Sequence, residues 1–149
     1  MKATGIVRRV DDLGRIVIPK EIRRTLKIRE GDPLEIFIEN DCVCFKRYSA
    51  LGSLGNGAIR IALTMAENSG LQSIAIYDTV SKLCGTENFP SYVPNEWERG
   101  NEPFEYSETY GVYPITTNGE RMGYVVCKRS NMSCEMTMIA RYLSIAVGD

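Results

Sequence analysis

The chain has 149 residues, of which 44% are hydrophobic and 25% charged, and its net charge is -1. That balance excludes a disordered chain, and the length suits one ordinary domain or a small module joined to a larger one. No apolar run approaches the roughly 20 residues of a membrane span and no signal-peptide h-region follows Met1, so a cytoplasmic protein is expected.

The near-neutral total hides an asymmetry. Residues 1–48 hold 11 Lys+Arg against 8 Asp+Glu, a balance of +3, whereas residues 49–149 hold 7 against 11, a balance of -4. Within residues 1–29 the count is 9 against 3, or +6, which predicts an anion-binding head on an acidic body. The five cysteines, Cys42, Cys44, Cys84, Cys127 and Cys134, are irregularly spaced and no histidine accompanies them. They read as reduced, mostly buried thiols, with neither a metal site nor a cofactor implied.

In chain order, residues 4–10 are rich in β-branched side chains and predict a strand, Asp11-Asp12-Leu13-Gly14 a turn, and residues 15–18 a second strand. Pro19 suits the start of a helix because its missing N–H would be unpaired there anyway, so a short helix is expected over 20–26, with Ile22 and Leu26 on one face. Glu30-Gly31-Asp32-Pro33 is a turn signal. Beyond it, Leu34, Ile36 and Ile38 alternate with Glu35 and Glu39 as in a half-buried strand, while Phe37 breaks the alternation and suits an interface. After a turn at Glu39-Asn40-Asp41, a fourth strand over 42–47 places Val43 and Phe45 on one face. A unit of this size, without disulfide or metal, cannot bury a sufficient core by itself, and dimerisation is the remedy.

Residues 49–57 are small and Gly-rich and predict a linker running into a helix. In that helix Leu54, Ala58, Ile61 and Met65 fall in 4-3-4 steps, and Ser69-Gly70 ends it. Residues 72–80, with Ile74 and Ile76, read as a strand; residues 85–108, with three prolines and several aromatics, as irregular chain with at most one helical turn. Residues 110–116 and 122–129 flank Asn118-Gly119, a strong hairpin signal. The closing segment predicts a helix in which Met132, Met136, Ile139, Leu143 and Ala146 step 4-3-4-3, a narrow seam for packing on another helix. Tyr77, Tyr110, Tyr113, Tyr124 and Trp97 would either line a small-molecule pocket or fill a common core, core being the commoner fate.

The run from Lys2 through Ile18-Pro19-Lys20-Glu21-Ile22-Arg23-Arg24-Thr25-Leu26 to Ile28-Arg29-Glu30-Gly31-Asp32-Pro33-Leu34-Glu35-Ile36-Phe37 resembles the DNA-binding domain of the AbrB family, and within it the stage V sporulation protein T group. The resemblance implies an α+β chain: a swapped-hairpin β-barrel built by two chains over residues 1–50, then a small GAF-like α/β domain over 54–149 whose helices join dimers into tetramers. It implies a regulator of sporulation or transition-state genes bound to double-stranded DNA and associated with the nucleoid. The family's DNA-contacting arginines match Arg8, Arg15, Arg23 and Arg24, with Lys2, Arg9 and Lys20 as supporting candidates. The residues point the same way unaided. Arg8 and Arg15 flank a tight turn, Arg23 and Arg24 ride one short helix, and guanidinium takes phosphate or guanine edges with paired hydrogen bonds. The plainer alternative is that some of them pair with Asp11, Asp12 or Glu21 on an ordinary surface.

Oligomerisation is expected through Leu54, Ala58, Ile61 and Met65 and through Met132, Met136, Ile139 and Leu143. An unidentified small-molecule ligand of the second domain is a further expected partner. A competing reading is an antitoxin, since the same barrel family includes toxin-neutralising proteins that bind DNA; those carry an extended tail in place of a folded domain. An enzyme is not expected: without histidine no Cys-His or Ser-His pair forms, no Gly-rich phosphate loop follows a strand, and nothing near Cys84 in sequence activates it.

Overall fold

A computed structural model of the chain describes residues 4–71, 73–86, 88–128 and 134–148, in two units, Met1–Tyr48 and Ser49–Asp149. The first unit contains the helix α1 (Lys20–Thr25) and an antiparallel hairpin of β1 (Leu34–Glu39) and β2 (Cys42–Arg47). Asn40 and Asp41 connect the two strands, both with positive φ (45° and 60°), the two-residue turn whose twist matches that of the flanking strands. The register sets Ile36 opposite Phe45 and Ile38 opposite Val43, so these four side chains form one apolar face. That face is uncovered: Ile38 is 85% exposed and Ile36, Val43 and Phe45 are exposed as well. Half-burial was expected; in a single chain there is no second layer to bury it.

A related correction concerns residues 4–10 and 15–18, which form no strand within the single chain. A strand needs a neighbour to take its N–H and C=O groups, and among the described residues of this unit the only sheet is the β1-β2 pair. The turn between the two segments is present. Asp11 N–H donates to the Arg15 carbonyl at 3.1 Å and Gly14 N–H to the Asp11 carbonyl at 3.0 Å. This is a three-residue hairpin loop, and Gly14 takes the left-handed position it requires, at φ 77°.

Helix α1 ends one residue before the expected limit. Lys27 takes φ 53°, its N–H reaching the Arg24 carbonyl (3.2 Å) while Ile28 N–H reaches that of Arg23 (2.8 Å), which stops the helix by satisfying its last carbonyls.

The second unit is built on a five-stranded antiparallel sheet in the order β4-β3-β7-β6-β5, formed by β3 (Ile74–Tyr77), β4 (Lys82–Gly85), β5 (Phe104–Tyr106), β6 (Tyr110–Thr117) and β7 (Glu120–Lys128). Asn118 and Gly119, at φ 53° and 81°, close the β6-β7 hairpin as their sequence predicts. β4 and β5 were not foreseen, whereas the 3-10 turn Asn95–Trp97 is the one helical turn expected within residues 85–108.

Strand alternation divides the sheet into two buried faces. Ile74, Ile76, Tyr113, Ile115, Val125 and Cys127 face the helices α2 (Ala50–Ser53), α3 (Gly55–Asn68) and α4 (Cys134–Gly148). Ala75, Tyr77, Val112, Tyr124 and Val126 face the connection between β4 and β5, which supplies Phe89, Val93 and Trp97. Arg121 fastens that connection, donating to the carbonyls of Arg99 and Gly100 and to Asn101 Oδ1, while its other arm reaches Tyr124 Oη at 3.1 Å. Among the described residues no helix is long and apolar enough to cross a membrane.

The Gly-rich run read as a linker is helical. Ser49 Oγ caps α2 by accepting Gly52 N–H at 3.0 Å, and Leu51 is fully buried. Leu51 fits because β7 carries a glycine beneath it: a Cβ on Gly123 would collide with the Leu51 side chain and the Tyr77 carbonyl. Gly123→Ala is therefore expected to destabilise the second unit by about 2 to 3 kcal/mol, read as a lower urea midpoint at unchanged slope.

Candidate nucleic-acid interface

All the predicted DNA-contacting residues lie in the first unit, and those the structure describes are exposed: Arg8, Arg9, Arg15, Lys20, Arg23 and Arg24. Lys2 lies outside the described residues. Arg23 and Arg24 are consecutive on α1, about 100° apart around the helix axis. Their carbonyls end the helix while their guanidiniums stay at the surface. Lys20 opens the same helix. Arg8 lies before the hairpin loop, and among the described residues its guanidinium donates only to the neighbouring Val7 carbonyl, at 3.1 Å.

Among the described residues, Arg15 is the arginine of the set for which the plainer alternative holds in part. Its Nε donates to Asp11 Oδ2 at 2.8 Å, and its backbone N–H donates to Asp11 Oδ1 at 2.7 Å. Leu13 N–H also donates to Oδ1, at 3.0 Å. The two hydrogen bonds from Arg15, backbone first, hold the Asp11 carboxyl below its ordinary range, so it is anionic at neutral pH. The Arg15 side chain nonetheless remains 71% exposed.

The same unit exposes a second kind of surface. Thirteen of its large apolar side chains, from Ile6 to Tyr48, are exposed, Val7 at 84%, whereas the buried hydrophobic core of the chain begins at Leu51. Burying a side chain of this size is worth about 1.5 to 3 kcal/mol, so the unit carries a large unrealised driving force for association. Within it, the Arg47 Nε to Asp32 Oδ2 pair at 3.4 Å ties the end of β2 to the turn before β1.

The residues expected at oligomerisation seams take up different places within the single chain. Met136, Ile139 and Leu143 are fully buried in the core of their own unit, where α4 packs against α3 and the sheet. The 3-4 steps from Met136 to Leu143 mark a buried helix face, and the helix it meets belongs to the same chain. Met132 lies outside the described residues. On α3 the face turned inward is that of Ile59, Ala62, Leu63 and Ala66; Leu54 and Met65 are partly buried against the same core, Ala58 is half-buried, and Ile61 is exposed. Met138 and Ile145, seven residues apart on α4, are the exposed apolar side chains of that helix.

Of the aromatic residues offered as pocket lining, Tyr77, Trp97 and Tyr124 are core, Tyr110 packs partly buried against them, and Tyr113 is buried with one side on a groove. Trp97 meets Tyr77, Tyr106 and Tyr124 edge to face at 5.1 to 5.7 Å, and the Tyr77 hydroxyl donates to the Pro90 carbonyl at 2.7 Å. This open groove of about 370 Å³ lies between β6 and α4, lined by Tyr113, Thr116, Arg141 and Ser144 among others. Burial pushes the Cys127 thiol up to about 11 and raises that of Cys84, which leaves both weak nucleophiles at neutral pH.

Residues 7–41 match the family described as "Antidote-toxin recognition MazE, bacterial antitoxin". The chain is 40% identical to stage V sporulation protein T of Bacillus subtilis, over 85% of this chain and 84% of that protein. It is 58% identical over 48 residues to the transition state regulatory protein AbrB of the same organism, covering 32% of this chain and half of that one. Among solved structures, the N-terminal DNA recognition domain of Bacillus subtilis AbrB is similar at 57% identity, over 33% of this chain and 92% of that one, with a TM-score of 0.29. With a basic, apolar-faced first unit joined to a folded second one, and a relative matched along most of both chains, the protein belongs to the AbrB family of transcription regulators, in the group of stage V sporulation protein T.

Proposed function

We propose that two copies of residues 1–50 interlock as a swapped-hairpin barrel that binds double-stranded DNA, and that residues 54–149 are a GAF-like domain that joins such dimers. The observation that carries the reading is the coincidence, in one unit, of uncovered apolar faces and unburied cations. Segments 4–10 and 15–18 lack strand partners and β1-β2 lacks a covering layer, and a second copy supplies both. Assembly then doubles Arg8, Arg15, Arg23 and Arg24 into eight guanidiniums, with Lys2, Arg9 and Lys20 in support, on a surface that takes phosphate. The relatives' names assign them to sporulation and to the transition state, and the chain acts as a regulator of such genes on the nucleoid, in the cytoplasm, without catalysis of its own.

The continuous antiparallel sheet with helices on one face supports the GAF-like reading of the second domain. With Met136, Ile139 and Leu143 committed to the core, the tetramer contact passes to the outward positions Ile61, Met138 and Ile145. The groove beside Arg141 and Ser144 is where a small-molecule ligand would be sought.

The match of residues 7–41 to an antitoxin family is the observation that favours a second reading, toxin neutralisation. The second unit weighs against it, being a folded sheet with two buried faces where an antitoxin has an extended tail. Binding of the full chain to duplex DNA, followed by fluorescence anisotropy across salt, tests the main reading. With roughly six to eight phosphates neutralised, log K is expected to fall with log salt at a slope of about -5 to -7. Affinity independent of salt would overturn it.

A further inference from the structure

We infer that Asp11 is a positioning residue for DNA binding: its carboxylate clamps Arg15 by Nε alone and holds the two terminal nitrogens of the guanidinium ready for phosphate or a base edge. This rests on the reading of Arg15 as a DNA contact. Asp11 and Arg15 are the two ends of the hairpin loop, joined by the backbone bond from Asp11 N–H to the Arg15 carbonyl. The carboxylate is divided between two tasks. Oδ1 accepts the backbone N–H groups of Leu13 and Arg15, which shapes the loop, and Oδ2 accepts Arg15 Nε at 2.8 Å, which orients the side chain.

The geometry decides between a clamp and a competitor. A carboxylate that competed with DNA would take the two-pronged end of the guanidinium, the geometry that phosphate also uses. Among the described residues one donor of five is engaged, and the four N–H groups on the terminal nitrogens are left. The side chain is 71% exposed, so packing does little to limit its rotamers, and without Asp11 its ordering would fall on the binding step. Asp11 adds a negative charge close to an incoming phosphate, which by itself opposes binding. The inference is that ordering outweighs that repulsion, and the sign of one measurement separates the two.

Asp11→Asn keeps a carbonyl oxygen for the Leu13 and Arg15 backbone N–H groups while removing the charged partner of Nε. In the full chain it is expected to weaken duplex DNA binding by about fivefold or more, both protomers losing the clamp, and to flatten the salt slope by about 1 to 2, with melting temperature and assembly mass unchanged. In an Arg15→Ala background the same substitution is expected to do nothing further. Tighter or unchanged binding by D11N overturns the inference, as does an equal loss in the Arg15→Ala background, because Asp11 would then act through the loop. Arg15→Lys serves as a second variant: a lysine has no Nε for Asp11 to hold and no planar pair of terminal nitrogens to present to phosphate, so R15K is expected to bind less tightly than the parent, and parental affinity overturns the clamp. If Arg15→Ala itself leaves affinity intact, the DNA role of Arg15 fails, and the positioning role of Asp11 with it.

Discussion

Replacing Arg23 and Arg24 together by alanine is expected to weaken binding of the full chain to duplex DNA by about four orders of magnitude at about 0.1 M salt. A dimer loses four guanidiniums by this change, and a hydrogen bond to a charged group contributes about 1.5 kcal/mol net, where 1.4 kcal/mol is a factor of ten. The salt slope is expected to flatten by about 3 to 4, because each phosphate left unpaired keeps its counterions. Stability should hold. Both side chains are exposed on α1, their only structural duty is performed by backbone carbonyls, and alanine is the best helix former. Titration by anisotropy at several salt concentrations, beside a thermal melt, reads both quantities. Lys20→Ala at the start of the same helix is expected to cost less, since an ammonium holds phosphate as a point charge without the two-pronged geometry. An unchanged slope in the double variant would remove α1 from the interface.

These expectations rest on residues that the sequence exposed plainly, because surface chemistry and local turns are short-range properties. Asn118-Gly119 and the Asn40-Asp41 turn each require positive φ at two consecutive positions, and the residue types announce it. Pro19 marked the start of α1 for a similarly local reason. What sequence could not supply was the identity of a partner. Residues 4–10 and 15–18 carry strand-like composition, yet composition does not say which chain provides the neighbouring strand.

The same ambiguity governed the helices. Steps of four and three along Met136, Ile139 and Leu143 define a buried face, but they are silent on whether a second chain or the chain's own sheet covers it. The glycine-rich run 49–57 misled because its deciding contact, Leu51 over Gly123, spans more than seventy positions in sequence. β4 and β5 were missed for a third reason: four and three residues are too short for alternation to show, and they are the two edges of the sheet, where pairing is on one side only. The Asp11-Arg15 contact lay between these cases. Its members were named as a candidate pair, but only the atoms engaged distinguish a clamp from a neutralised surface charge.

Ile139→Asp turns the distinction between core and seam into an experiment. Ile139 is 1% exposed, between α4 and a sheet face made of Ile74, Ile76, Ile115 and Val125. A carboxylate placed there has no cationic or hydrogen-bonding partner among those apolar neighbours, and burying such a group costs several kcal/mol, to which the lost packing of isoleucine adds about 2 to 5. Against a typical total of about 5 to 15 kcal/mol, the second unit is expected to be unfolded or close to it at 25 °C, with loss of near-ultraviolet signal from Trp97 and its tyrosine neighbours. Ile145→Asp on the outward face of the same helix should leave that signal intact and lower the assembly mass in light scattering, if this face joins dimers as proposed. A folded I139D chain of halved mass would return Ile139 to an interface between chains. An unfolded I139D beside a folded, smaller I145D would place the contact between dimers on the exposed side of α4, half a helical turn from the residues whose spacing first suggested it.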